Sequence, residues 1–142
     1  MRFVDTNVLL YALSRDPGEQ RKAEIARALL QASDLAVSVQ VLQEFYVQAT
    51  RASRADRIGH DQAAALVEAW LRFPVQETTV ALTRAALAAT PRFGVSFWDA
   101  SIIEAARLLA CPVLLSEDLA DGQDYDGVRV ENPFRGVSGP PE

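Results

Sequence analysis

Short β-rich runs alternate along this chain with longer stretches in which apolar residues recur every three or four positions. The segments at 2–5, 35–39, 74–77, 113–116 and 128–130 read as five strands. Between them the spacing predicts a helical turn at 8–13 and helices at 19–32, 40–52, 61–73, 79–90 and 97–110. Ala23, Ala26, Leu29 and Leu30 share one face of the first full helix, and Val41, Leu42, Phe45 and Ala49 form the buried stripe of the next. Asp16-Pro17-Gly18, Gly59, Pro91 with Gly94, and Pro112 punctuate the pattern, and Ser96 is placed to cap the helix that follows it. Short strands alternating with helical stretches predict an α/β domain, a parallel sheet covered by helices on both faces.

At 142 residues with 49% hydrophobic content, the chain is expected to form one domain with an ample core. That domain is read as 1–134, and the Gly-Pro-Pro tail 135–142 is expected to be disordered. The chain enters its first strand without a basic and apolar leader, and the apolar runs near 108–115 are too short to span a bilayer. A cytoplasmic protein with no membrane partner is expected. The single cysteine, Cys111, excludes an internal disulfide, and its apolar neighbours predict a packing residue.

Four acidic residues, Asp5, Glu44, Asp99 and Asp118, fall where strands end or helices begin. In an open parallel sheet those corners lie along one edge, so the side chains can meet in a single crevice. Carboxylates brought together repel, at ~4 kcal/mol for a pair ~4 Å apart at an effective dielectric of ~20. A hard divalent cation removes that cost, and oxygen-only donors select Mg²⁺ or Mn²⁺, the metals of phosphoryl chemistry. Each acid also has a plainer reading. Asp5 and Asp118 suit turns, Asp99 suits a capping box with Ser96, and Glu44 suits a solvated helix edge. Asp121 is a fifth candidate ligand, in a loop crowded with acids.

The formal charge of −5 opposes nucleic acid through bulk electrostatics. Two divalent cations would bring the chain close to neutral, so RNA is permitted by charge without being suggested by it. Arg51, Arg54 and Arg57, together with Arg92, are the candidate phosphate contacts, against the plainer reading of a solvated helix end. Trp70 and Trp98 are read as packing residues in preference to base-stacking platforms. The one histidine, His60, follows a glycine at a helix start and is read as solvated or capping. A metal-independent ribonuclease that uses the 2′-hydroxyl needs a pair of acid and base groups, which one histidine does not supply. Neither glycine-rich phosphate loop is present.

Phe3-Val4-Asp5-Thr6-Asn7-Val8-Leu9-Leu10, Glu44 early in the helix after the second strand, Phe97-Trp98-Asp99-Ala100 opening a later helix, and Leu115-Ser116-Glu117-Asp118-Leu119 together resemble the PIN-domain ribonucleases over residues 1 to 134. The nearest likeness is to VapC-type toxins of prokaryotic toxin–antitoxin pairs. This resemblance implies a three-layer α/β/α sandwich with a five-stranded parallel sheet in the order 3-2-1-4-5 and Asp5 at the switch point. It implies that Asp5, Glu44, Asp99 and Asp118 are the metal-binding, catalytic acids, with Thr6, Asn7 and Ser116 as supporting polar residues. It further implies hydrolysis of RNA by a metal-activated water to leave 5′-phosphate and 3′-hydroxyl ends, a homodimer, and a cognate antitoxin that covers the acidic groove. Two rivals remain. A PIN fold without catalysis would only bind RNA or a partner. A haloacid-dehalogenase-like phosphatase would need an acid where Asn7 stands, and a lysine at the site, while Lys22 lies on a polar helix face.

Overall fold

The computed structural model describes residues 1–137. In chain order the elements are β1 (Arg2–Val4), α1 (Thr6–Leu13), a single 3-10 turn (Pro17–Glu19), α2 (Gln20–Leu29), β2 (Leu35–Ser38), α3 (Val39–Ala49), α4 (His60–Trp70), β3 (Val75–Gln76), α5 (Val80–Phe93), α6 (Phe97–Leu108), β4 (Val113–Leu115) and β5 (Arg129–Glu131). The strands pair in parallel in the order β3-β2-β1-β4-β5, the order the resemblance implied. Helix α1 packs on both α2 and α3, α3 packs on α4, α5 packs on α6, and α6 lies across β2, β3 and β4. The result is a PIN-like α/β sandwich.

Phe3, Val4, Leu35, Ala36, Val37 and Leu114 are completely enclosed, as expected for strands covered on both faces. The predicted stripe of α3, Val41, Leu42, Phe45 and Ala49, is buried to the last member. In α2, Ala23, Ala26 and Leu30 are buried and Leu29 is half-buried. Among the described residues no helix is long and apolar enough to cross a membrane.

Several boundaries differ from the sequence expectation, each for a local reason. Val39 belongs to α3 and not to the second strand, because Ser38 accepts the Val41 N–H and starts the helix there. The same helix stops at Ala49 instead of running to 52, and its last turn closes as Thr50 Oγ1 donates to the Tyr46 carbonyl. Helix α5 runs through Pro91 to Phe93. The proline sits in the final turn, where its missing N–H forfeits one hydrogen bond, and Gly94 in left-handed geometry ends the helix. Helix α6 stops at Leu108 by a Schellman closure: the Ala110 N–H reaches the Arg107 carbonyl and the Cys111 N–H reaches the Ala106 carbonyl. That closure holds Ala110 at φ +57°, a conformation usually left to glycine. Of the tail expected at 135–142, residues 135–137 follow on from a turn at 133–136, and Arg135 pairs with Asp121. The rest, 138–142, lies outside the described residues.

Candidate active site

Asp5 stands where β1 ends and α1 begins, and it serves both. Its N–H donates to the Leu115 carbonyl at 3.0 Å, extending the β1–β4 ladder by one residue. Its Oδ1 accepts the Thr6 N–H at 2.8 Å and caps α1. The cap uses one oxygen and leaves the other for different work. Because Val4 pairs with Leu115, the next residue on each strand is Asp5 and Ser116, and Ser116 Oγ donates to Asp5 Oδ2 at 2.8 Å. Burial, with only 8% of the residue exposed, pushes the Asp5 carboxyl up to about 6. The Ser116 and Thr6 hydrogen bonds pull it down, and the Asp118 and Glu44 charges add to the rise.

Glu44 reaches the same edge from the second turn of α3. Thr6 Oγ1 donates to its Oε2 at 2.9 Å, and Gln40, one turn earlier on α3, donates to its Oε1 at 2.9 Å. Asn7 spreads two N–H donors over three acceptors, Asp5 Oδ2, Ser116 Oγ and Asp118 Oδ2, all at 3.3–3.4 Å, and accepts the Glu117 N–H on its own oxygen. At the start of α6, Ser96 Oγ accepts the Asp99 N–H at 3.1 Å. The reciprocal half of a capping box is not formed among the described residues, so the Asp99 carboxylate is left to the cleft. Asp5, Glu44, Asp99 and Asp118 all line one cavity of about 140 Å³, with Gln40 and Trp98 on its rim. It opens at the carboxyl edge where the connections from β1 and β4 diverge, the switch point of a doubly wound sheet.

Whether these residues suit a metal can be read from their chemistry. The donors are all oxygen, one is buried, and among the described residues none of the four carboxylates takes part in an ion pair. Such unbalanced negative charge fits a hard divalent cation. No group of three or more acidic, histidine or cysteine side chains among the described residues is arranged to grip an ion as it stands. Thr6, Asn7 and Ser116 meet Asp5, Thr6 and Gln40 meet Glu44, and Asn7 also meets Asp118, so three of the four carboxylates are oriented by neutral donors.

The remaining candidates fall elsewhere. Asp121 accepts the Asn132 N–H and pairs with Arg135, and it does not line the cleft. Arg51 and Arg57 lie in exposed turns between α3 and α4, beyond the end of the helix. Arg54 pairs with Asp56 and lines a larger groove of about 630 Å³ that shares Asn7, Leu10 and Asp118 with the acidic cleft. Arg92 pairs with Asp126 at the end of α5. His60 begins α4, where its ring meets the Tyr46 hydroxyl at 2.8 Å. Trp70 is packed in the core as read, whereas Trp98 is 63% exposed and corrects the packing reading.

Two features escaped the sequence reading. Gln40 lies four residues before Glu44, a helical spacing that could have revealed it. The other is the pairing of Lys22: its Nζ meets Glu117 Oε2 at 2.6 Å, and the Tyr11 hydroxyl donates to Glu117 Oε1 at 2.6 Å. That contact spans 95 residues and no local pattern signals it. Lys22 is committed to Glu117 and does not line the acidic cleft.

The profile of the PIN domain family matches residues 2–120. No curated protein sequence matches the chain. Among solved structures, a toxin–antitoxin complex from Klebsiella pneumoniae superposes with a TM-score of 0.70 at 19% identity, covering 94% of this chain and 98% of that one. VapC20 of Mycobacterium tuberculosis, described as a sarcin–ricin loop cleaving toxin, gives 0.64 at 23% identity over 83% of this chain and 92% of that one. DNA-bound VapBC from Salmonella typhimurium gives 0.61 at 22% identity over 93% and 97%.

Proposed function

The chain belongs to the PIN-domain family, and from that premise we propose that it is a Mg²⁺- or Mn²⁺-dependent endoribonuclease, the toxin of a toxin–antitoxin pair. The observation that carries this reading is the set of four carboxylates, without ion-pair partners among the described residues, on one cleft at the sheet's switch point. Asp5, Glu44, Asp99 and Asp118 would hold the cation. Bound there, it supplies a water activated for attack on phosphorus and offsets charge building on the phosphoryl oxygens. Ser116 and the Thr6 N–H fix the Asp5 carboxylate, Thr6 Oγ1 and Gln40 fix Glu44, and Asn7 ties Asp118 to the other two strand ends. Water adds to phosphorus as the bond to the 3′ oxygen breaks and that oxygen takes up a proton. The products are 5′-phosphate and 3′-hydroxyl ends.

The solved toxin–antitoxin complexes of the same fold support an antitoxin as partner. The same reading carries a homodimer. Of the four arginines singled out in the sequence, Arg54 lines the adjoining groove and is the one best placed to follow an RNA backbone out of the cleft.

The test is cleavage of RNA by purified protein in Mg²⁺ or Mn²⁺, abolished by EDTA, with fragments that ligate without prior phosphorylation. Fragments ending in 2′,3′-cyclic phosphate would overturn the mechanism. Binding without metal-dependent cutting would leave a silent PIN fold, and hydrolysis of small phosphomonoesters alone would favour the phosphatase.

A further inference from the structure

Trp98 adjoins Asp99 at the start of α6, lines the acidic cleft, and leaves 63% of its surface in solvent. A large aromatic side chain left open contributes little to the fold, yet this one is held in place. The Phe97 ring meets it edge-on at 5.1 Å and 74°, and Phe97 packs against Ala86, Ala89 and Ala100 between α5 and α6. The Trp98 carbonyl accepts from Gln40 Nε2 at 3.4 Å, and the same amide holds Glu44. The Trp98 backbone is therefore tied to the amide that holds Glu44, and its ring rests against Phe97 while most of its surface stays free.

We propose that Trp98 is a stacking platform for one unpaired base of a single-stranded RNA, at a nucleotide next to the bond that is cut. The inference rests on the nuclease reading of the cleft and assigns Trp98 a role in positioning its substrate. In a chain of formal charge −5, phosphate attraction is a poor source of RNA affinity, and stacking on a π-face needs no charge. A base inside a duplex cannot offer its face, so the substrate is a single strand or a loop.

The test measures binding of an unstructured RNA oligonucleotide, single-stranded or annealed to its complement, in Ca²⁺ to separate binding from cutting. The wild type should prefer the single strand. Trp98→Ala should weaken that binding about 5- to 150-fold, and Trp98→Tyr should restore most of it. Abasic substitution at one nucleotide should weaken wild-type binding by a similar factor and leave Trp98→Ala binding no weaker, a coupling that a merely structural tryptophan would not produce. Where RNA is cut in Mg²⁺, KM should rise with kcat within a few-fold. Unchanged affinity in Trp98→Ala, an abasic effect equal in both proteins, or a change confined to oligomeric state would overturn the proposal, the last assigning the indole to a protein contact. If stacking-dependent binding is found but no RNA is cut, the nuclease reading falls and the platform stands. If the wild type binds no RNA, both fall.

Discussion

Glu117 and Asp118 are consecutive residues after β4, and their surroundings differ in kind. Glu117 is met by the Lys22 ammonium and the Tyr11 hydroxyl, both at 2.6 Å. Burial alone would raise its pKa, but those two bonds outweigh it and hold the carboxyl below its ordinary value. Asp118 faces Asn7 and the other acids of the cleft, with no cationic partner among the described residues. One acid is neutralised within the fold, and the other waits for charge from outside. Proximity in sequence therefore says little about role, and the presence or absence of a protein cation says more.

The hardest way to break the contrast is through catalysis. Asp5→Asn keeps the size of the side chain and removes its charge, so RNA cleavage should fall by about three orders of magnitude or more, the scale of losing several kcal/mol of metal-derived stabilisation. Glu117→Gln should cut within a few-fold of wild type, as measured by initial rates on one RNA. Equal loss in both variants would erase the distinction drawn between the two sites.

A second test uses pH in metal-free protein. Asp5 titrates near 6 in the folded state against an ordinary value of 3.8, so its contribution favours folding fully below about pH 4 and is lost as pH rises through 6. A shift of that size corresponds to about 3 kcal/mol. Glu117 has the opposite sign, contributing above its ordinary value of 4.5 and losing that contribution as pH falls. Urea unfolding in EDTA should show Asp5→Asn gaining stability on wild type between pH 4 and 7. Glu117→Gln should lose stability at neutral pH, by about 1–2 kcal/mol, and approach wild type in acid. Parallel curves for wild type and Asp5→Asn would mean that the buried charge carries no such penalty.

Metal should act on one side of the comparison only. With Mg²⁺ or Mn²⁺ at about 100 times its Kd, wild type should gain about 2.7 kcal/mol and melt several degrees higher, as should Glu117→Gln. Asp5→Asn should respond far less. A melting curve indifferent to metal in the wild type would remove the cation from the account.

Much of this was legible from local pattern. Ser96 announced the start of α6, and the apolar spacing of α3 announced its buried face. Strand order came from resemblance and not from periodicity, because a three-residue strand carries no signal about its neighbours. The misread helix ends share a cause: α5 survives a proline in its last turn, and α6 ends on an alanine where no glycine warns of a stop. Trp98 was misjudged and the Lys22–Glu117 pair was not foreseen, because exposure and a partner 95 residues away are tertiary facts. Asp5 could be read both as a turn residue and as a site residue, and its two oxygens divide between those settings.

The Ala110 corner has a practical use. A left-handed alanine is strained by roughly 1 kcal/mol, and glycine adopts that geometry freely. Ala110→Gly should therefore raise the stability of the whole domain from a point outside the acidic cleft. Such a background would give margin for destabilising variants of Phe97 or Thr6 to stay folded while their chemistry is measured. The same corner that hides the end of α6 from a reader of the sequence offers an experimenter a silent handle on the protein.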